Sequence, residues 1–486
     1  MEKQIGILCH ISSLPSKYGV GDFGKEAYSF VDFLSNSGVK IWQILPLNQT
    51  GETNCPYFSN CFFSYDEMFF DVDDLIKRKL ISSQDASILL ELPKSKKITY
   101  KLVKKEKRVI FEKAYSNITK ELDTKLDKYL QENTYVFNYA VYKALLERYN
   151  LTDWRRLSKS MLDNNSTQYK EFIENNLHSI KKYGFFQYIL SEQWKSLKQY
   201  ANSKGIKILG DIPIYPNIKS FDVYNDRSSY QLDENYNMIC TGGVPKNAID
   251  GIEQNWGSCV YDWKKLKDTN YEYMIKKFKM SLKNYDILRL DHFYGYAEHY
   301  EFSTTNKKDN KWVKAGGVDF FSELSKHVDI NGFVAEYIGI SKNECDKVMQ
   351  TFNLTGMCLL QSAMKKKNFL PNNVKENNFY YVGTHDNNTL IGFLNTLDAK
   401  QKKQFFKLLN LNCNETNEQT AITIMRQVYH SKAKYVIFQI QDLLMQDEFY
   451  RMNIPGEAFG QWNYKMPQDY QAKVAETLAL IKQWKT

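Results

Sequence analysis

The chain has 486 residues, of which 43% are hydrophobic and 25% are charged. These ordinary values for a soluble globular protein exclude a disordered tail, a collagen-like fibre and a small disulfide-rich module. Its 65 Lys and Arg against 56 Asp and Glu leave a formal net charge of +9. Because this excess is small and its densest runs, at 104–108 and 365–367, are short, we expect no nucleic-acid partner.

The sequence predicts a cytoplasmic location. Its first residues, MEKQIGILCHISSLPS, hold no long apolar stretch, which disfavours a secretory signal. No segment approaches the roughly 18 apolar residues of a membrane span, so we expect no membrane partner. The eight cysteines are scattered without a C-x-x-C pair, which argues against structural zinc and favours reduced thiols. We expect neither a metal nor a cofactor.

Short apolar runs that end in polar or charged residues recur along the chain. Runs of this kind with helical patterns between them are typical of parallel strands buried on both faces. We predict eight strands, at 5–12, 41–47, 206–214, 287–293, 333–339, 357–361, 379–386 and 435–443. Eight strand–helix units close a (β/α)₈ TIM barrel, and this α/β fold is our prediction. The alternative, a doubly wound sheet, would place a glycine-rich turn after the first strand, and CHISSLP at 9–15 is not one.

Helical periodicity lies between the predicted strands. Apolar residues at helical spacing occur over 27–34 and over 186–201, and Gly38 and Gly205 follow where glycine commonly ends a helix.

Two connections are too long for a plain barrel. Residues 65–185 carry helical periodicity and are predicted as a helical insertion between the first part of the barrel, 1–64, and the rest, 186–486. Residues 216–275 are predicted as a loop insertion. Both follow a strand's C-terminal end, so we expect both above the face where barrels hold their active sites.

Four carboxylates follow four different predicted strands, at Asp211, Asp291, Glu336 and Asp386. Such a cluster suits two chemistries, the binding of a divalent metal or the cleavage of a glycosidic bond by a nucleophile and an acid/base. Arg289, two residues before Asp291, would share its face of the strand, lower the pKa of that carboxyl and keep it ionised. A nucleophile requires this and a cation site does not, so glycosidic chemistry is favoured.

Single residues of this set also have structural explanations. Asp211 could cap a turn, and Arg289 with Asp291 could form a structural ion pair. His292 could be a satisfied core histidine, and residues 385–388 a solvated turn. These explanations do not account for four carboxylates at the same end of successive strands.

At these residues the chain resembles the 4-α-glucanotransferases, also called amylomaltases or disproportionating enzymes, of glycoside hydrolase family 77. The resemblance covers almost the whole chain and depends on the number and order of its motifs. They are HISSLPS at 10–16, GVGDFG at 19–24, WQILPL at 42–47, GDIPIY at 210–215, WG at 256–257, RLDHF at 289–293, AE at 335–336, THDN at 384–387 and RMNIPG at 451–456. It implies a retaining transglycosylase that moves α-1,4-glucan segments from a donor to an acceptor through a covalent glucosyl-enzyme.

The resemblance also implies residue roles. Asp291 would be the nucleophile, Glu336 the general acid/base, and Asp386 a third carboxylate that holds donor hydroxyls. The implied substrate-binding residues are Tyr57, Asp211, Trp256, Arg289, His292, His385 and Asn453. These implied roles are consistent with a retaining mechanism, because that mechanism needs one ionised and one protonated carboxyl about 5–5.5 Å apart.

The chain departs from the family pattern at four places. Tyr294 stands where Arg is expected, Tyr337 where Asp is usual, and Asn388 where Asp is expected. Residues 246–250, KNAID, replace a usual aromatic pair and bring the acceptor platform, and with it the ratio of transfer to hydrolysis, into question. Two alternatives therefore stay open, a retaining α-1,4-glucan hydrolase and a catalytically idle glucan-binding protein.

Overall fold

Eight parallel strands close into a barrel in the computed structural model, which describes residues 3–246, 253–412 and 414–483. The strands are β1 Gln4–Leu8, β2 Ile41–Gln43, β3 Lys207–Ile212, β4 Ile287–Leu290, β5 Phe333–Ala335, β6 Thr355–Leu359, β7 Phe379–Tyr381 and β8 Tyr435–Gln439. Each strand lies beside its successor in sequence, and β8 pairs with β1. The predicted TIM barrel is confirmed.

All eight predicted strands are present, and all eight end earlier than predicted. For example, β4 ends at Leu290, whereas the prediction extended it to Phe293. His292 has a φ of +41°, which is incompatible with a strand and turns the chain away from the ladder. Asp291, Glu336 and Asp386 therefore lie in the loops at the C-terminal rim, whereas Asp211 and Arg289 lie within strands.

Helices surround the barrel and fill the long connections. Those that follow barrel strands are Lys25–Asn36, Leu177–Ser203, Glu272–Asn284, Gly317–Leu324, Asn343–Thr351, Leu390–Thr396, Ala399–Leu409, Asn417–Tyr429 and Tyr470–Lys482, with shorter helices at Phe221–Asn225, Trp263–Asp268, Tyr294–Ala297 and Ile440–Leu443. The first helix ends just before Gly38, at φ +71°, and the helix Leu177–Ser203 just before Gly205, at φ +75°, as their stripes predicted. The connection from β6 to β7, described throughout, holds two 3₁₀ turns and no α-helix.

Residues 65–185 hold a run of helices. They are Val72–Lys77, Ser83–Leu90, Tyr100–Ser116, Lys120–Glu132, Thr134–Arg148, Lys159–Leu162 and Thr167–Asn175. The helix Leu177–Ser203 then crosses residue 185 without a break. The division at 64 and 185 stays a prediction.

The segment 216–275 is more ordered than the loop that its sequence predicted. Its strands Cys240–Val244 and Gln254–Cys259 form an antiparallel sheet with Glu298–Ser303 and Lys311–Lys314. Paired glycines suggested a loop, but they serve close packing here: a Cβ on Gly243 would lie 2.0 Å from the carbonyl oxygen of Gln254.

Two further findings concern the described residues. No helix among them combines the length and apolarity needed to cross a membrane. Their seven cysteines are all unpaired.

Candidate active site

A fully buried arginine forms the floor of the cleft at the C-terminal rim. Arg289 lies on β4 directly opposite Asp211 on β3, and its Nη1 donates to Asp211 Oδ2 at 2.6 Å. The same nitrogen donates to Asp291 Oδ1 at 3.0 Å, and Nη2 lies 2.9 Å from Glu336 Oε1. Asp291 and Arg289 therefore share a face, as predicted, and three carboxyls converge on one guanidinium.

Asp291 and Glu336 stand immediately after neighbouring strands, β4 and β5. Each side chain is 16% exposed, so both reach the cleft while remaining partly shielded from water. The second oxygen of Glu336, Oε2, accepts the backbone N–H of His292 at 2.7 Å. The left-handed backbone of His292 aims this N–H at the carboxylate, and such conformations often occur at functional sites.

Opposing effects act on the pKa of Asp291. Burial raises this pKa well above its usual range and Glu336 raises it further, while Arg289 lowers it. Arg289 therefore acts on Asp291 in the predicted direction, and burial outweighs it. That Arg289 keeps Asp291 ionised stays a prediction.

Asp386 has the opposite electrostatic environment. Its Oδ1 accepts Asn453 Nδ2 at 2.6 Å, and its Oδ2 lies 3.4 Å from His385 Nε2. Burial on its own raises the pKa of Asp386, but His385 and Asn453 lower it more, and the net pKa lies below the usual range. Arg451 Nη2 fixes the backbone by donating to the Asp386 carbonyl at 2.6 Å. Asp386 is thus an anion with a fixed orientation.

Tyr57 joins the buried carboxylate floor to a group of stacked rings. Its hydroxyl donates to Asp211 Oδ2 at 2.7 Å, and burial raises the pKa of Tyr57 well above its usual range, which keeps this donor protonated. The Tyr57 ring stacks on His385 with centroids 5.1 Å apart and an interplanar angle of 13°. Trp462 lies against both rings, at 5.7 and 5.8 Å.

Aromatic side chains also border the cleft beside His292. The Trp256 ring meets the His292 ring edge-on, with centroids 4.6 Å apart. Burial lowers the pKa of His292 to about 3, with a smaller contribution from Arg289, so the imidazole is neutral. The cleft has a volume of about 690 Å³ and is open to solvent. Most sites of sugar-sized ligands are concave, largely apolar and supplied with a few polar groups, as this one is.

The structure therefore gathers all of the sequence-predicted site residues around one cleft. Asp291, Glu336, Asp386, Tyr57, Trp256, His292 and Asn453 line it directly, and Asp211, Arg289 and His385 support those that do. Within the described residues, no group of three His, Cys, Asp or Glu side chains is arranged to hold a metal ion.

The departures from the family pattern fall at different distances from the chemistry. Tyr294 and Tyr337 contact each other beside Glu336, with ring centroids 5.1 Å apart. Asn388 lies behind the Asp386 loop, where its carbonyl accepts Gln361 Nε2 at 2.8 Å. Of the segment 246–250, residues 247–250 lie outside the described residues.

Sequence reasoning missed two tryptophans that line the cleft. Trp462 follows the RMNIPG motif by six residues and has a φ of +65°, but no spacing links it to Tyr57 and His385. Trp312 lies on the edge strand Lys311–Lys314, within a segment that showed no barrel pattern.

Comparison with known proteins gives a consistent result along the whole chain. The model of a family described as 4-alpha-glucanotransferase matches residues 9–471. The 4-alpha-glucanotransferase of Aquifex aeolicus is 34% identical over 480 residues, which cover 96% of this chain and 96% of that protein. The enzyme of the same name from Clostridium butyricum is 32% identical over 467 residues, covering 94% of this chain and 95% of the relative.

A solved structure agrees with the sequence comparisons. The amylomaltase from Streptococcus agalactiae in complex with acarbose superimposes with a TM-score of 0.92 and 28% identity. The match covers 100% of both chains.

Proposed function

The chain belongs to the 4-alpha-glucanotransferase family, and from this premise we propose that its rim cleft transfers α-1,4-glucan segments between maltooligosaccharides. In this proposal Asp291 is the nucleophile, Glu336 is the general acid/base and Asp386 is the anion that holds the donor sugar. The observation that carries the assignment is the convergence of Asp291 and Glu336 on the single guanidinium of Arg289. Two carboxyls held by the two terminal nitrogens of one guanidinium are close neighbours, which supports a reaction that uses a nucleophile and an acid/base side by side.

The first step cleaves the donor. With Glu336 protonated and Asp291 ionised, an Asp291 oxygen attacks C1 of the bound glucose while the bond from C1 to the leaving oxygen breaks. Glu336 gives its proton to that oxygen, and the shortened glucan leaves with a free 4-hydroxyl. A covalent glucosyl-enzyme ester remains on Asp291.

The second step forms the new bond. The 4-hydroxyl of an acceptor glucan loses its proton to the Glu336 carboxylate and attacks C1, and the ester bond to Asp291 breaks. One proton moves from Glu336 to product and another returns from the acceptor, so the pair ends as it began. Water in place of the acceptor gives hydrolysis by the same path, so transfer depends on how well the cleft holds sugar and excludes water.

Two supports favour a tight donor site. Asp386 is a fixed anion beside C1, and it stabilises positive charge that develops in the oxocarbenium-like transition state. The stacked Tyr57 and His385 rings form an apolar surface beside it, against which a sugar ring can pack.

We also propose that residues 65–185 act as a unit that shapes this cleft. Tyr100 in that segment donates its hydroxyl to the carbonyl of Trp462 at 2.7 Å, and the backbone N–H of Ile98 donates to the carbonyl of Asn463 at 2.8 Å. The proposed insertion therefore holds the loop that brings Trp462 to the cleft. The proposed location is the cytoplasm, which the unpaired thiols support.

The test is incubation with maltotriose followed by chromatography. Wild type is expected to give glucose and a ladder of longer maltooligosaccharides, and Asp291→Asn and Glu336→Gln should lower the rate by about 10³-fold or more. Asp319→Asn, at an exposed aspartate outside the cleft, is the matched control and should match wild type. Glucose and maltose without longer chains would identify a hydrolase, and no turnover with retained maltodextrin binding would identify a binding protein.

A further inference from the structure

Four rings form a continuous aromatic wall that leads from the catalytic carboxyls to the outer part of the cleft. The wall consists of Trp256, His292, Tyr294 and Trp312, and all four line the cleft. Successive ring centroids are 4.6, 5.3 and 6.2 Å apart. The wall is connected to the proposed acid/base at His292, because the backbone N–H of His292 donates to Glu336.

Two tyrosines that depart from the family pattern hold this wall. Tyr294 and Tyr337 meet edge-on, with centroids 5.1 Å apart, where the family pattern has Arg and Asp. The two departures are therefore in direct contact, and a change in one ring alters the packing of the other.

Both tyrosines also hold the segment 338–342, which follows Glu336 closely in the chain. The Tyr294 hydroxyl donates to the Ile340 carbonyl at 2.7 Å, and the Tyr337 hydroxyl accepts the backbone N–H of Lys342 at 2.5 Å. Gly339 packs directly on Tyr294, because a Cβ there would lie 2.6 Å from the hydroxyl oxygen.

The outer end of the wall is held from the same segment. Lys342 Nζ lies 3.5 Å from the centroid of the Trp312 ring and 3.6 Å from Glu298 Oε1. A cation against one face of an indole fixes the orientation of the ring. Tyr337, through Lys342, therefore acts on Trp312 as well as on Tyr294.

We propose that Tyr294 and Tyr337 are a coupled pair of positioning residues that hold the aromatic wall as the acceptor-sugar platform of this chain, with Trp312 as its outer sugar-contacting ring. This inference deepens the proposed function and rests on it. The general acid/base stands at the scissile oxygen, between donor and leaving sugar. Tyr57, His385 and Asp386 surround the donor side, so the wall built beside and after Glu336 faces the leaving or accepting glucan.

The chemistry of the wall fits that ligand. The C–H faces of glucose rings are apolar and pack on aromatic side chains, as in other concave, largely apolar binding sites. A platform of rings binds successive sugars with little dependence on chain length. It also excludes water from the ester on Asp291, which favours transfer over hydrolysis.

The test measures acceptor use separately from donor cleavage. Maltotriose serves as donor and radiolabelled maltose as acceptor, and the initial rate of label incorporation is followed against maltose concentration. Trp312→Ala is expected to raise the acceptor KM about three- to tenfold and to increase the share of hydrolysis, while donor consumption falls less than about twofold. Tyr149→Ala, at an exposed ring outside the cleft, is the matched control.

Coupling of the tyrosines is tested by a double-mutant cycle. Tyr294→Arg and Tyr337→Asp should each raise the acceptor KM and lower the melting temperature, and the double variant should recover most of both losses. Tyr294→Phe keeps the ring and loses the hydrogen bond to Ile340, so it should raise the acceptor KM with folding retained. Tyr115→Phe is the control, because the Tyr115 hydroxyl donates to His178 in the helical segment, and it should leave the acceptor KM unchanged.

The outcomes separate the two proposals. Wild type that makes no longer chains overturns the proposed function and this inference with it. Wild type that transfers, together with Trp312→Ala whose acceptor KM is unchanged, overturns the platform alone. Strictly additive losses in the double variant overturn the coupling of Tyr294 and Tyr337.

Discussion

Arg289 is a fully buried charge whose partners are all carboxyls of the cleft. Taking a guanidinium out of water costs several kcal/mol, which only close and well-bonded anions offset. Asp211 at 2.6 Å, Asp291 at 3.0 Å and Glu336 at 2.9 Å supply those anions. Because the dependence is mutual, the same residue sets the geometry of the proposed reacting pair and contributes to the stability of the barrel.

Replacing Arg289 by Met should therefore reduce both stability and activity. The variant leaves buried carboxyls without their cation, so we expect the free energy of unfolding to fall by about 3–5 kcal/mol. Transfer from maltotriose should fall at least about 100-fold, as for the loss of a fixed transition-state contact. Urea unfolding and the chromatographic assay measure the two effects.

The control for this variant is Arg155→Met. Arg155 pairs with Asp153 at a partly exposed position, so its loss should change the free energy of unfolding by less than about 1 kcal/mol. Equal effects of the two substitutions would contradict the role given to the buried guanidinium.

A buried carboxyl away from the chemistry predicts a pH dependence of stability. Asp442 is 1% exposed, its Oδ1 accepts the backbone N–H of Leu390 at 2.6 Å, and burial raises its pKa to about 7. In the unfolded chain an aspartate titrates near pH 3.9, as an approximate reference value. Between these two values the folded state binds more protons, so stability falls as pH rises from about 4 to about 7.

Asp442→Asn removes this titration and keeps an oxygen for Leu390. We expect a gain in the free energy of unfolding at pH 8, with about 4 kcal/mol as an upper bound, and little change at pH 4.5. Thermal melts at both pH values measure the effect. Asp163→Asn at an exposed position is the control, and a gain equal at the two pH values would contradict the linkage.

Single residues of the site were predictable where chemistry leaves a mark in sequence. Asp211, Asp291, Glu336 and Asp386 stood out because charges follow apolar runs only where a strand reaches solvent or a site. Trp312 and Trp462 left no such mark, since tryptophan is common in cores and both lie far in sequence from the residues they contact. The effect of burial on the pKa of Asp291 was also missed, because burial is not visible in sequence.

At the scale of elements, the helix Glu272–Asn284 fixes one side of the cleft through a buried lysine. Lys277 Nζ donates to the Pro213 carbonyl at 2.5 Å, to the Ile214 carbonyl at 3.2 Å and to the Tyr261 hydroxyl at 2.9 Å. These carbonyls belong to the turn after β3, where the ladder ends and backbone groups need other partners. The helix thereby positions Ile214, which lines the cleft.

Lys277→Met should loosen this turn. A buried carbonyl without a donor costs about 1–3 kcal/mol, so we expect lower stability and a rise in KM for maltotriose. Denaturant unfolding and steady-state kinetics give the two values. Lys276→Met changes an exposed neighbour on the same helix and serves as control, and an unchanged KM in Lys277→Met would argue against a link between this helix and the cleft.

Elements were predictable to the extent that their pattern is local. The barrel strands are apolar on both faces and the helix Lys25–Asn36 has a clear stripe, so both could be read from sequence. The antiparallel sheet could not, because its strand Cys240–Val244 contains two glycines and pairs with Glu298–Ser303, far along the chain. Strand ends were overextended because the turn at His292 depends on a contact with Glu336 from another strand.

At the scale of the whole molecule, the helical segment 65–185 is bonded to the barrel part of the chain through a buried ion pair. Lys107 of the segment is 1% exposed and lies 3.3 Å from Asp22 Oδ2. Within the segment, its Nζ also donates to the carbonyls of Met68 at 2.7 Å and Phe70 at 3.0 Å. The buried charges of Lys107 and Asp22 are stable only while the segment stays docked on the barrel. Opening the interface would leave each charge without its partner, which costs free energy on both sides.

The whole chain should therefore unfold in one transition, although chains of this length often unfold in steps. In scanning calorimetry we expect a single peak whose calorimetric and van't Hoff enthalpies agree. Lys107→Met leaves Asp22 and two carbonyls without their donor and should lower the melting temperature of the entire peak. The free energy of unfolding should fall by about 3 kcal/mol or more. Lys113→Met, at an exposed position on the same helix, should leave it nearly unchanged. Two resolved peaks in wild type would mean that the segment folds independently of the barrel. The same conclusion would follow if hydrogen exchange confined the lower transition in Lys107→Met to the helical segment. In either case Lys107 would not maintain the contact between the segment and the loop of Trp462.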